Sequence, residues 1–221
     1  ENLGFVKTCN RAVKELDNSS NDILLLNSDT QVTRGVLEEM QEVLALFEKH
    51  AVVCPRSNRA TLLSIPPYSR GLFKDFQTHI DCHERVKPYL PCYSVIPTAN
   101  GFCMLIRRSI IDRFGLFDEI YGKGFNEEND FCLRIAQYGF SVIMANRAYV
   151  HHYESKSFGH AGRSVHEEQN ARILNSRYPH YPELIQFYFR YQIHPLDHFS
   201  DLLCPGFYNR KKVLFSLYNL P

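Results

Sequence analysis

The segment "NDILLLNSDTQV", residues 21 to 32, constrains the chain most, because Ile23, Leu24, Leu25 and Leu26 form an unbroken apolar run between polar residues. Such a run suits a strand buried on both faces of a parallel sheet better than a half-exposed one. It stops on Asn27, Ser28 and Asp29, so a core strand is expected to deliver a carboxylate at its carboxyl end. The flanks have helical spacing. Phe5, Val6, Cys9, Val13 and Leu16 recur before the run, and Val36, Leu37, Met40, Val43, Leu44 and Phe47 recur after it, leading to the short strand "AVVCP". Helix, strand, helix, strand is the order of an α/β fold.

Residues 55 to 97 break this rhythm: they hold six of the eleven prolines and no sustained period, and predict a long irregular excursion of the kind that builds binding surfaces. Regularity returns with "FCMLI" as a strand over 102 to 106 and "RRSIIDRF" as a short helix stopped by Gly115. "NEENDFCLRIAQYG" predicts a helix with Glu127, Glu128 and Asp130 in its first turn, closed by Gly139. "SVIMA" and "AYV" predict short strands ahead of His151 and His152. Ser164 with Glu167 predicts a capping box for a helix running to about Arg177, and "PELIQFYFRY" predicts a last helix.

Composition excludes more than it identifies. At 221 residues the chain can bury a sizeable core, and 25 Lys plus Arg against 24 Asp plus Glu leave no charge excess to favour nucleic acid or an anionic membrane. Seven cysteines, an odd number without C-x-x-C spacing, predict a reduced, cytosolic chain. There is no run of 18 apolar residues to predict a membrane span and no secretion signal is read, while peripheral contact at the inner face of a membrane stays open.

Each candidate group has a plain reading beside a chemical one. Asp29 at a strand end can hold a cation that holds a diphosphate, but an Asx-turn accounts for the tripeptide alone more simply. Glu127, Glu128 and Asp130 suit a first helical turn through the macrodipole, yet they follow the Gly-containing loop "YGKGFN", where a base could reach a substrate hydroxyl. His151 and His152 suit a strand end as satisfied polar residues, and imidazole with carboxylate also suits Mn²⁺ or a similar ion.

The order of these elements carries further than any one of them. "N-x-G-F" at Asn2 to Phe5, Asn10, "LLLNSDT", "ANGFCMLIRR", "GLFDE", "GFNEENDFCLR" and "HYESKSFG" follow in a series, over residues 2 to about 159, that resembles the family 2 glycosyltransferases. The resemblance implies a GT-A fold, a Rossmann-related mixed but mainly parallel sheet flanked by helices, and a nucleotide-diphosphate sugar donor. It implies that Asp29 is the metal ligand of a D-x-D-like element with Asn27 in the first position, and that Asn27, Asp29 and Asn10 lie on the donor side. Glu128 matches the general base and Glu127 the acidic residue before it, with Glu replacing Asp and lengthening the reach by one methylene. His152 matches the metal-binding histidine, with His151 as the fallback. Asn100, Gly101 and Asp130 fall on the acceptor side. The implied cofactor is Mn²⁺ or Mg²⁺, and the helix dipole is expected to keep Glu128 ionised.

The resemblance divides the chain into a GT-A core over 1–160, a helical extension over 161–200, and a linker over 201–221. It also places a strand, a helix and a strand ahead of "ENLGF", so roughly 60 preceding residues are expected to be absent. "RKKVLFSLYNLP", with its apolar run Val213 to Phe215, reads either as the opening of a neighbouring glycosyltransferase domain or as a strand packed on this one. The expected activity is inverting transfer of a sugar to a glycan or glycolipid acceptor, as in cell-surface polysaccharide synthesis. A non-catalytic sugar- or nucleotide-binding module is the rival. A metal-dependent hydrolase is the poorer one, for want of a third clustered ligand.

Overall fold

A computed structural model describes residues 3–66, 75–153, 160–197 and 200, with 160–165 described by their backbone only. The expectations for residues 154–159 and 201–221, including Val213 to Phe215, lie outside the described residues.

The chain opens with α1 (Gly4–Arg11), whose last turn widens into a π turn over Ala12–Leu16, then β1 (Ile23–Leu26), β2 (Thr30–Val32), α2 (Val36–Ala45) and β3 (His50–Arg56). The middle carries α3 (Phe76–Val86), β4 (Tyr93–Ile96), β5 (Cys103–Ile106) and α4 (Arg108–Phe114). Then follow α5 (Glu127–Ala136), β6 (Ser141–His152), α6 (His160–Arg177) and α7 (Tyr181–Phe187). The six strands form one sheet in the order β1-β5-β3-β6-β2, with β4 also on β6.

The fold is mixed α/β, but the sheet is not mainly parallel. β3 and β6 run parallel, whereas β1 with β5, β5 with β3, β4 with β6 and β2 with β6 are antiparallel. Two antiparallel steps separate β1 from β3, so β1, β3 and β6 all end at the same edge of the sheet, and β5 starts from it. That edge therefore receives Asp29 just after β1, His152 at the end of β6, and the Asn100–Gly101–Phe102 turn that leads into β5.

The core is built on β3 and β5, buried along their whole lengths, with Val36, Met40, Val43 and Leu44 of α2 and Phe131 and Ile135 of α5 packed against the sheet. β1 departs from the expectation of burial on both faces. It is an edge strand: Ile23 and Leu25 pack on the core, while Leu24 and Leu26 are 39% and 44% exposed. An apolar side chain reports hydrophobicity and not the number of neighbours, so a strand with one paired edge can carry the same run as a central one. Leu16 is also outside the expected helix face, because the π turn changes the angular step of the last residues, and it is exposed.

Four further expectations are corrected. The irregular stretch contains α3 and β4, the latter paired with β6. "SVIMA" and "AYV" form one continuous strand, β6, with a register irregularity opposite Pro55 and Arg56. α6 begins at His160, so Ser164 lies inside it rather than at its start. Leu174 of α6 and Tyr178 just past it join the same core as the sheet, as does Tyr188 just past α7, so the helical extension and the rest share one interior. Cys82 is disulfide-bonded, so the chain is not fully reduced as expected, while Cys9, Cys54, Cys92, Cys103 and Cys132 are free. Among the described residues no helix is long and apolar enough to cross a membrane.

Candidate functional site

β2 folds back along the end of β6, placing Thr30 opposite His152, and this brings Asp29 beside the histidine. His152 Nε2 lies 3.4 Å from Asp29 Oδ1, and both side chains are mostly buried. The other ring nitrogen, Nδ1, faces the Arg59 carbonyl at 3.4 Å. With the proton on Nε2 the ring donates toward the carboxylate, and with the proton on Nδ1 the Nε2 lone pair and the carboxylate are both available as ligands for a cation. Asn58 fixes the histidine from below: its Oδ1 accepts from the His152 amide at 2.8 Å and its Nδ2 donates to the His152 carbonyl at 3.0 Å. The Phe102 ring stacks on the imidazole at 5.2 Å between centroids.

The turn before Asp29 is tied to the same neighbours. The Asn27 amide donates to the Phe102 carbonyl at 2.9 Å, and Thr30 Oγ1 donates to the Asn27 carbonyl at 2.7 Å. These bonds hold the strand end as an ordinary turn would, and they also fix where Asp29 points. His151, the fallback histidine, is one residue along the strand and so faces the opposite side of the sheet. There it packs among Phe76 and His79 of α3 and Tyr153, its ring centroid 5.1 Å from that of His79. The geometry therefore groups Asp29 with His152 and not with His151.

Two ligands on adjacent positions of a small divalent ion at its usual bond length of about 2.1 Å sit about 3 Å apart, close to the separation of Asp29 and His152. Among the described residues no group of three or more His, Cys, Asp or Glu could hold a metal ion. The donor set thus fits a Mn²⁺- or Mg²⁺-type site only if phosphate oxygens and water complete the shell, which is how such ions bind beside nucleotide diphosphates.

The glutamates occupy the other side of the Asn100 turn. α5 starts from Phe125 and Asn126, two non-glycine residues held at φ 75° and 73°, a conformation sparsely populated for a bulky side chain. Glu127 and Glu128 follow as its first residues. Oε2 of each is out of contact with solvent and has no hydrogen-bond partner among the described residues. Burial raises the titration of both above the usual carboxylate range; the charge of Glu128 adds to the rise at Glu127, while the amides of Glu128, Asn129 and Asn126 pull Glu128 back. Desolvation outweighs the helix end here, so Glu128 is shifted upward, against the direction expected from the helix dipole. The Glu127 charge is felt at Cys9 of α1, and that of Glu128 at Cys54 of β3, Cys132 of α5 and Tyr181 of α7. The Asn100 amide donates to Cys54 and the Ala99 amide to Cys132, so this turn borders the Glu128 surroundings as well as Phe102 and His152.

The remaining expected residues have other partners. Asn10 uses both ends of its amide on the Phe117 backbone, donating at 2.8 Å and accepting at 3.0 Å, and so pins α1 to the "GLFDE" turn. Asp130 is two residues from Glu128 and hence on the far side of the helix. It accepts from Tyr121 Oη at 3.1 Å and Arg177 at 2.9 Å, and lies 3.7 Å from Arg134, beside a hollow of about 500 Å³ lined by these arginines, Phe117 and Tyr178. A Cβ added at Gly101 would meet the Phe5 ring at 3.6 Å, an ordinary contact, so among the described residues no close approach requires a glycine there.

Sequence reasoning missed Asn58 and Asn170. Asn170, on α6, is buried, and the two N–H groups of its Nδ2 are shared among the carbonyls of Tyr121, Gly124 and Phe125 at 3.0, 2.7 and 3.0 Å. A lone Asn in a proline-rich stretch or within a polar helix has no periodicity to mark it. No protein-family model matches the chain, and no curated protein matches it in sequence.

Proposed function

We propose that the chain is an inverting glycosyltransferase with a GT-A arrangement, moving a sugar from a nucleotide-diphosphate donor to a glycan or glycolipid acceptor. The observation that carries this reading is the meeting of Asp29 and His152 at the strand-end edge, where a carboxylate and an imidazole suited to a divalent ion face each other. Ligands of open α/β sheets collect at such edges. Asp29 and His152 would hold Mn²⁺ or Mg²⁺, which when bound neutralises charge on a departing diphosphate.

Glu128 then serves as the base. Its carboxylate takes the proton of an acceptor hydroxyl while that oxygen forms a bond to the anomeric carbon, and the bond from that carbon to the diphosphate oxygen breaks with inversion. The raised titration makes Glu128 a stronger base once ionised, at the expense of a smaller ionised fraction. Its Oε2 is closed off in this conformation, so an acceptor reaches it only when the residues around the start of α5 move apart.

Glu128→Gln keeps volume and hydrogen bonding but cannot take the proton. Transfer from the donor should fall by roughly 10²- to 10⁴-fold with donor affinity nearly intact. Full activity in Glu128→Gln with loss in Glu127→Gln would move the role by one residue. Full activity in both would remove it from this helix.

A further inference from the structure

We infer that Asn170 is a positioning residue for Glu127 and Glu128, acting as the latch that holds the strained turn from Tyr121 to Asn126 against α6. The inference rests on the transferase reading only for what the glutamates do, and stands on geometry for how they are held.

The turn is gripped from two sides. On one side Gly4, at φ +76°, brings α1 so close that a Cβ there would lie 2.7 Å from the Lys123 Cα, and the Phe5 amide donates to the Lys123 carbonyl at 3.0 Å. On the other side the two N–H groups of Asn170 Nδ2 are shared among three carbonyls of the turn, the furthest at 3.0 Å. Between these grips Phe125 and Asn126 keep positive φ, and Asn126 makes no side-chain cap to the helix it begins. Backbone strain of this kind persists only where surrounding bonds over-determine it. Asn170 supplies such bonds immediately before the two glutamates, so their direction into the interior depends on a residue more than forty positions away.

Oε2 of each glutamate is buried, and the ionisable groups near enough to feel their charge are Cys9 of α1 for Glu127, and Cys54 of β3, Cys132 of α5 and Tyr181 of α7 for Glu128. None of these four is a cation, so none of them replaces water around an ionised carboxylate. Release of the turn would let water in.

The test is a carboxyl ¹³C NMR titration of Glu127 and Glu128 in the unaltered protein, in Asn170→Ala, and in Asn170→Ala combined with Phe125→Gly and Asn126→Gly. Asn170→Ala should return the glutamates toward the ordinary carboxylate range by at least about one pH unit, a tenfold change in proton affinity. The glycines, which tolerate positive φ without strain, should recover part of the lost shift. Unchanged titration in Asn170→Ala overturns the inference, and so does a shift that the glycines leave untouched, because a packing role for Asn170 would not respond to backbone tolerance. Should Asn170→Ala fail to fold, Asn170→Gln retains the donor one methylene out of place. Faster amide hydrogen exchange at residues 124–130 in that variant, with exchange in β3 unchanged, supports the latch; unchanged exchange there contradicts it. No donor or acceptor enters these measurements, so failure of the transferase reading leaves a distinct result.

Discussion

Single side chains at the strand-end edge separate binding from folding. Asp29 and His152 are mostly buried but lie outside the main apolar core, and substituting either by Ala should destabilise by about 0.5–3 kcal/mol without abolishing folding, while removing metal-dependent donor binding. Denaturant unfolding beside a donor titration checks both halves. Asp29 was legible in the sequence because an apolar run ending on a carboxylate is a local pattern. Its pairing with His152, and the exclusion of His151, follow from strand alternation once the register of β2 on β6 is known. Asn58 and Asn170 were not legible, because their work is to satisfy backbone groups far away in the chain, and a hydrogen bond of that kind leaves no period.

At the scale of elements, the helices read from apolar spacing formed, and the one that was missed shows the limit of that spacing. α3 turns His79, Cys82, His83 and Val86 inward, at i, i+3, i+4 and i+7, and Asp75 caps its start by accepting from the Thr78 amide at 2.8 Å. The period was present but written in histidine, a residue counted as polar. Burial pushes His79 and His83 down to about 4, so both are neutral core residues at neutral pH. β1 errs the other way: its run is apolar throughout although one face meets solvent. Gly4 marks the join of α1 to the Lys123 turn, and Gly4→Ala should destabilise by about 1–3 kcal/mol, since it adds a methyl where φ is positive and the Lys123 backbone is in the way. Thermal unfolding of the variant measures this, and an unchanged midpoint would mean that the contact contributes nothing.

For the whole molecule, the buried pair Arg56–Asp197 ties the residues beyond α7 to the middle of the sheet. Arg56 Nη2 lies 3.0 Å from Asp197 and its Nε donates to Asn146 of β6 at 2.9 Å, with both charged side chains almost wholly buried. Asp197→Ala strands the guanidinium and should cost about 3–5 kcal/mol, whereas an exposed pair such as Arg11–Glu15 should be near neutral. The titrations set a pH profile of stability. Burial depresses His79, His83 and His151, so the folded state binds fewer protons than the unfolded one, and stability is lost as pH falls below about 6.5 toward 4. Glu127 and Glu128 are raised, so their contribution is present at low pH and lost as pH rises from about 4.5 through their folded values, near 9 for Glu127. Above pH 6.5 only the glutamate slope remains among these groups. The unfolding midpoint should therefore decline from pH 6.5 to 9, and Glu127→Gln should flatten that decline; a flat profile in the unaltered protein would contradict the burial of the pair.

Calorimetric titration of a panel of nucleotide-diphosphate sugars, with Mn²⁺ and then with EDTA, decides whether the edge holding Asp29 and His152 binds such a donor through a divalent ion, as proposed. At least one donor should bind with Mn²⁺, and that binding should be lost with EDTA and in Asp29→Ala and His152→Ala with folding retained. Donor binding that persists in both variants, or is indifferent to the metal, would contradict the proposal.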